Sequence, residues 1–123
     1  MEDIIGLLFF ARNVTHIEHL KTKSYAQHKA LGKFYDEVIE LADKLAEAYQ
    51  GDKGLLGEIP LYAKLPNYPI DVFLEKQLMT IDELRKTATT RSAIQNIIDE
   101  IVELYLGTLY KLRNLSWSLL MLN

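Results

Sequence analysis

Apolar residues recur at spacings of three and four along nearly the whole of this 123-residue chain. Such spacing places apolar side chains on one face of an α-helix, whereas a half-buried strand needs an apolar residue at every second position. No convincing alternating run occurs. Three interruptions divide the pattern, at KTKS (21–24), at 52–69 and at TTRS (89–92). The sequence therefore predicts an all-α fold with four helices.

Local signals set the limits of these helices. The first helix is expected over 2–20, and Ser24 is predicted to cap the start of the second. The third is expected over 70–88. Ser92 and Gln95 match the capping box that opens many helices, which places the start of the fourth helix there.

The interruption at 52–69 holds all three prolines and is predicted to be a long crossover loop between helices two and three. Two short connections and one long crossover are typical of a four-helix bundle. A chain of this length builds one core, so residues 1–123 are expected to form a single domain.

Composition narrows the classes of partner and location. The formal net charge is -3 and no cluster of basic residues occurs, which argues against a nucleic-acid partner. Cysteine is absent, so disulfides and thiolate metal sites are excluded. No apolar run approaches the roughly 20 residues of a membrane span. The apolar stretch 4–10 follows Glu2 and Asp3 instead of positive charge, so a cytoplasmic protein is expected.

The last nine residues, LSWSLLMLN, are too apolar for a free tail. Trp117, Leu119, Leu120 and Met121 are expected to pack either on this chain or on a second copy. The two alternatives are evenly balanced.

All three histidines lie around the first predicted turn, at His16, His19 and His28. A turn centred near 22–23 brings His16 and His28 to about the same level of two antiparallel helices, with His19 one helical turn from His16. Neutral imidazoles facing each other are a reasonable start for an iron or zinc site.

Asp43 and Glu47 are four residues apart, so their carboxylates leave the second helix on the same side. Asp43 follows His28 by fifteen residues, which is about 22 Å along a straight helix. The two groups therefore cannot share one ion within a chain. They could share one across a two-fold axis that sets the second helices of two copies antiparallel, which predicts a homodimer with two equivalent sites.

The spacing of His16, His28, Asp43 and Glu47 resembles the ferroxidase signature of Dps-type mini-ferritins. In that family two histidines come from one subunit and two carboxylates from its two-fold mate. HLKTK at 19–23 is similar to the HWxxK that follows the family's first ligand, which offers His19 as the alternative to His16. The stretch from His19 also resembles small ferritin-like proteins of tailed phages.

The resemblance implies a ferritin-like bundle that assembles as a homo-oligomer and binds iron, or zinc, at an intersubunit site. It extends to ferroxidase-type oxidoreductase activity, and to the host cytoplasm if the chain is phage-encoded. Two features depart from the family. Gly32 stands where an additional aspartate ligand is often found, and there is no basic tail of the kind associated with DNA binding.

Other interpretations stay open. The acidic residues of the second helix can form an ordinary solvated face, and the histidines can be structural. Tyr62 and Tyr68 fall in the predicted crossover near Lys53 and Lys64. Together with KTKS (21–24) they could line a pocket for a small anionic or aromatic ligand at a subunit interface. A phage protein could sequester a nucleotide signal in this way. The third interpretation is a structural phage component.

Overall fold

The structure, a computed structural model, describes residues 1–115. It consists of four helices: α1 (Glu2–Lys21), α2 (Tyr25–Lys53), α3 (Ile70–Ala88) and α4 (Ser92–Asn114). Within this range there is no strand, which confirms the predicted all-α fold with four helices. The prediction that Trp117, Leu119, Leu120 and Met121 pack on this chain or another falls outside the described residues.

Up to residue 115, none of the helices combines the length and apolar character needed to traverse a bilayer.

The four helices form two hairpins that pack on each other. α1 contacts α2 and α3, and α4 contacts the same two helices, so α2 and α3 lie diagonally. Short connections at 22–24 and 89–91 close the hairpins α1–α2 and α3–α4. The segment 54–69 joins the diagonal helices α2 and α3 without helix or strand of its own.

This long segment, called the crossover below, follows α1. Near its beginning the Gly57 N–H donates to Glu2 Oε2 at 2.8 Å. Further along, the ring centroids of Tyr62 and Phe10 are 5.4 Å apart. Phe10 also packs edge-on against Phe73 of α3 at 5.4 Å. The crossover therefore runs in the direction of α1, and α3 begins at the end of the bundle where α1 ends.

A buried polar chain ties the helices together at mid-bundle. The Tyr105 hydroxyl of α4 donates to Gln77 Oε1 of α3 at 2.6 Å, and Gln77 Nε2 donates to the Leu7 carbonyl of α1 at 3.0 Å. The Tyr105 ring packs edge-on against Phe34 of α2, with centroids 5.0 Å apart. Burial raises the pKa of the Tyr105 phenol above its ordinary value, so the hydroxyl stays a donor.

The helix starts confirm one predicted cap and correct another. Ser24 caps α2, because its side chain accepts from the Gln27 N–H at 3.2 Å. The predicted capping box at Ser92 is wrong, since Arg91 precedes α4 without a side-chain cap. Gln95 turns back to α3, where its amide donates to the carbonyls of Arg85 and Thr89 at 2.8 and 2.9 Å. Its side chain closes the α3–α4 connection instead.

Candidate metal centre

The α1–α2 hairpin brings two of the three histidines face to face. α1 ends at Lys21, and Thr22 is extended with φ -67° and ψ 145°. α2 begins after Ser24, so His19 lies in the last turn of α1 and His28 in the first turn of α2. Their rings stack with centroids 3.8 Å apart and planes inclined by 17°.

Reciprocal hydrogen bonds fix both rings. His19 Nδ1 lies 2.6 Å from the His28 carbonyl oxygen, and His28 Nδ1 lies 2.9 Å from the His19 carbonyl oxygen. A carbonyl oxygen can only accept, so each Nδ1 must carry the proton and donate it. In the neutral rings the lone pair is then on Nε2. Each imidazole thus has the tautomer that a metal ligand needs, held by a backbone carbonyl.

Gly32 makes room for this stack. A Cβ at position 32 would lie 3.0 Å from His19 Cε1 and 3.2 Å from His19 Nδ1, both tighter than ordinary contact. Gly32, which stands where the mini-ferritin pattern often has an aspartate, therefore leaves the space that the His19 ring occupies. The sequence carried this signal, a glycine one turn after His28 in an otherwise continuous helix, but its tertiary partner was not deducible from it.

His16 has a different neighbour. Its ring stacks on Tyr35 of α2 with centroids 4.1 Å apart and planes inclined by 12°, and its centroid is 6.2 Å from that of His19. The structure thus pairs His28 with His19, where the sequence placed His16 level with His28. The midpoint between residues 19 and 28 lies after Lys23, one position later than expected, because Thr22 and Ser24 are extended.

Asp43 and Glu47 are exposed on α2, away from the histidines. The fifteen-residue separation from His28 to Asp43 lies within one continuous helix, which corresponds to about 22 Å. Among residues 1–115, no group of three or more His, Cys, Asp or Glu side chains is placed to hold a metal ion. The shared site formed by two copies of the chain stays a prediction.

The stacked rings also limit how they can bind an ion. The Nε2 lone pair of an imidazole lies in the plane of its ring. Because the His19 and His28 planes are nearly parallel and their centroids are 3.8 Å apart, no single ion can lie in both. One ring must turn out of the stack before both can hold the same ion.

The tyrosines of the crossover lie against helices on either side of it. Tyr62 packs on Phe10 of α1, and Lys76 Nζ of α3 stands 5.1 Å from the Tyr68 ring centroid. Lys76 was missing from the sequence hypothesis, which named Lys53, Lys64 and the KTKS stretch as the basic groups. A cleft of about 500 Å³ opens between α1 and the crossover, and its lining includes Phe10, Arg12, Asn13, His16, Tyr62 and Leu65.

Comparison with known proteins gives two matches. The model of a family of unknown function, DUF5856, matches residues 19–112. An uncharacterised 14.6 kDa protein from the mobD-ri intergenic region of Enterobacteria phage T4 is 34% identical over 113 residues, which is 90% of this chain and 86% of that protein. No solved structure matches. The range matched by the family model begins at His19 and includes His28, Asp43 and Glu47.

Proposed function

The chain belongs to the family DUF5856 and has a relative in phage T4, and on that premise we propose that it is a metal-binding phage protein. The ion, iron or zinc, is held by His19 and His28 of one chain with Asp43 and Glu47 of a second copy. His16 is the alternative to His19 as the first histidine ligand of this site. The family description assigns no activity, so the support comes from the hairpin.

The observation that carries the proposal is the pair of reciprocal bonds between His19 and His28. Nδ1 donation to a backbone carbonyl, at 2.6 Å and 2.9 Å, leaves Nε2 as the basic nitrogen of each ring. Ligating histidines in metalloproteins are oriented by this kind of second bond. Both rings are half-buried, so an ion can reach them.

The arrangement of helices supports a ferritin-like fold for this site. Diagonal α2 and α3 joined by a crossover that follows α1 is the connectivity expected of a bundle with one long crossover. In such bundles metal sites are built from side chains on facing helices. Here the facing helix that supplies carboxylates is α2 of the second copy.

Binding is expected to open the stack. When Asp43 and Glu47 of the second copy approach, one imidazole turns so that both Nε2 atoms meet the ion, at the loss of one Nδ1 bond. Two imidazoles and two carboxylates are a suitable ligand set for ferrous iron or zinc. Oxidation of iron would further need an open coordination position for the oxidant.

The proposal is tested by anaerobic titration of the purified chain with ferrous iron and, separately, with zinc. Wild type is expected to bind one ion per chain in a saturable manner, and His28→Ala and Glu47→Ala are each expected to abolish this binding. Asp82→Ala is the matched control, because Asp82 is an exposed carboxylate of α3, the helix that lies diagonal to α2, and is not part of the proposed ligand set. Equal binding by His28→Ala and wild type would refute the site.

A second candidate is favoured by the cleft beside the crossover. Phe10 and Tyr62 offer aromatic surface there, and Arg12 and His16 offer groups that bind anions. The ligand would be a small aromatic anion such as a nucleotide. It would appear as ultraviolet-absorbing material released from the purified chain on denaturation. Tyr62→Ala should abolish its retention, whereas Tyr110→Ala, on the exposed face of α4, should not.

A further inference from the structure

A groove between α2 and α4 is left uncovered by the rest of the described chain. Its central part encloses about 350 Å³ and opens into a second hollow of about 630 Å³ toward the N-terminus of α2. We call the two together the α2–α4 groove. Its lining includes Tyr25, Ala30, Leu41, Leu104, Gly107 and Leu115. The hollow toward the N-terminus of α2 is the more apolar of the two.

No contact within the described chain requires glycine at position 107. It lies inside α4, and a Cβ added there would meet nothing within 4 Å. A glycine in a helix interior costs about 1 kcal/mol relative to alanine. Glycine on a helix face allows another backbone to approach closely. Its position in the α2–α4 groove leaves space for the backbone of a helix from outside the chain.

The two ends of the groove carry opposite charge. One end has Lys29, Lys33 and Lys111, and both partial burial and the nearby Lys33 lower the pKa of Lys111 below its ordinary value. The carboxylate of Glu37, 4.0 Å from Lys33 Nζ, marks the middle of the groove.

The other end is acidic. Lys44 Nζ is 3.0 Å from Glu100 Oε2 there, whereas Lys33 lies beside Lys111 at the basic end, so α2 and α4 run antiparallel. Glu103 of α4, an exposed carboxylate, also lines this end. A surface with a basic end and an acidic end is complementary to itself after a two-fold rotation about its centre.

We propose that the α2–α4 groove is the interface of a homodimer, in which a second copy related by a two-fold axis near Gly107 sets its acidic end on the lysines of the first. The interface needs no metal, so it holds or fails separately from the metal site. The histidine pair lies on the side of α2 that faces α1, so this interface is distinct from the one that the shared metal site requires.

The test is the mass of the full chain in chelator, by light scattering and sedimentation at high micromolar concentration. Wild type is expected at twice the chain mass of 14.2 kDa. Gly107→Leu should weaken the dimer by at least an order of magnitude, as blocking a central interface position does. Gly51→Leu is the matched control, since a Cβ at this helical glycine also meets nothing within 4 Å.

A charge exchange makes the test independent of packing. Lys33→Glu with Lys111→Glu should give a monomer, and so should Glu100→Lys with Glu103→Lys. Mixing the two variants should restore a dimer containing one copy of each. A monomeric wild type, or a dimer unaffected by Gly107→Leu and by both exchanges, would overturn the proposal. A monomer in which Gly107→Leu shifts the Trp117 fluorescence would instead assign the groove to residues 116–123 of the same chain.

Discussion

At the scale of single residues, the His19 ring depends on what lies beneath it. Gly32 offers no side chain, so the ring can settle on α2 and donate from Nδ1 to the His28 carbonyl. His28 in turn donates to the His19 carbonyl in the last turn of α1, where helical carbonyls otherwise lack partners. The same contacts therefore close the hairpin and orient the proposed ligands.

Gly32→Ala is expected to remove metal binding without unfolding the chain. The new methyl group displaces the His19 ring, so the loss of its Nδ1 hydrogen bond, about 1 kcal/mol, is offset by about 1 kcal/mol of helix propensity. Metal titration and thermal denaturation check this. Gly51→Ala, where the methyl group meets nothing, should keep full metal binding and gain about 0.5–1 kcal/mol of stability.

Glu2 gives a pH dependence at the start of the crossover. The Gly57 N–H donates to its carboxylate and lowers its pKa below the ordinary 4.5. A lowered folded-state pKa stabilises the fold above the ordinary value, and this contribution is lost as the pH falls through the lowered one. Urea midpoints of wild type and Glu2→Gln should therefore differ slightly at about pH 7 and converge at about pH 3. A difference that grows on acidification would contradict this sign.

At the scale of elements, the crossover is held on α1 by close packing. A Cβ at Gly6 would lie 2.7 Å from the backbone oxygen of Pro60, which cannot move away as a flexible side chain would. Gly6→Ala should therefore lift the crossover, cost about 1–3 kcal/mol and speed proteolysis within 54–69. Gly57→Ala is the control, because its Cβ would meet only Glu2 Oε2, at 3.5 Å. Equal proteolysis of the two variants would count against this packing.

Periodicity and local capping predicted the four helices. Predictions from these signals failed where a contact between two helices determines the position of a side chain. The limits of α3 and the cap at Ser24 follow from signals within a few residues. The sequence predicts Gln95 to cap α4, but its side-chain amide donates to the carbonyls of Arg85 and Thr89 instead. The pairing of His28 with His19 depends on the extended backbone at Thr22, which residue counting treats as helix.

At the scale of the whole molecule, the Tyr105–Gln77 bond is where helices from both hairpins meet. Tyr105→Phe leaves Gln77 Oε1 buried without its donor, so the free energy of unfolding should fall by about 1–3 kcal/mol. Adding Gln77→Leu removes the stranded acceptor and should recover part of the loss. Urea denaturation of Tyr105→Phe and of the double variant checks this, and a double variant less stable than Tyr105→Phe alone would contradict it.

Metal binding between copies is tested most directly by complementation. His28→Ala and Glu47→Ala are each expected to bind no ion. In a dimer of one His28→Ala chain and one Glu47→Ala chain, one site lacks both of these ligands and the other site has all of its ligands. After joint refolding, half of the dimers are mixed, so the mixture should recover about a quarter of the wild-type ferrous iron capacity. If the mixture binds no more than the separate variants while wild type binds, the ligands do not come from two chains, and the shared site is wrong.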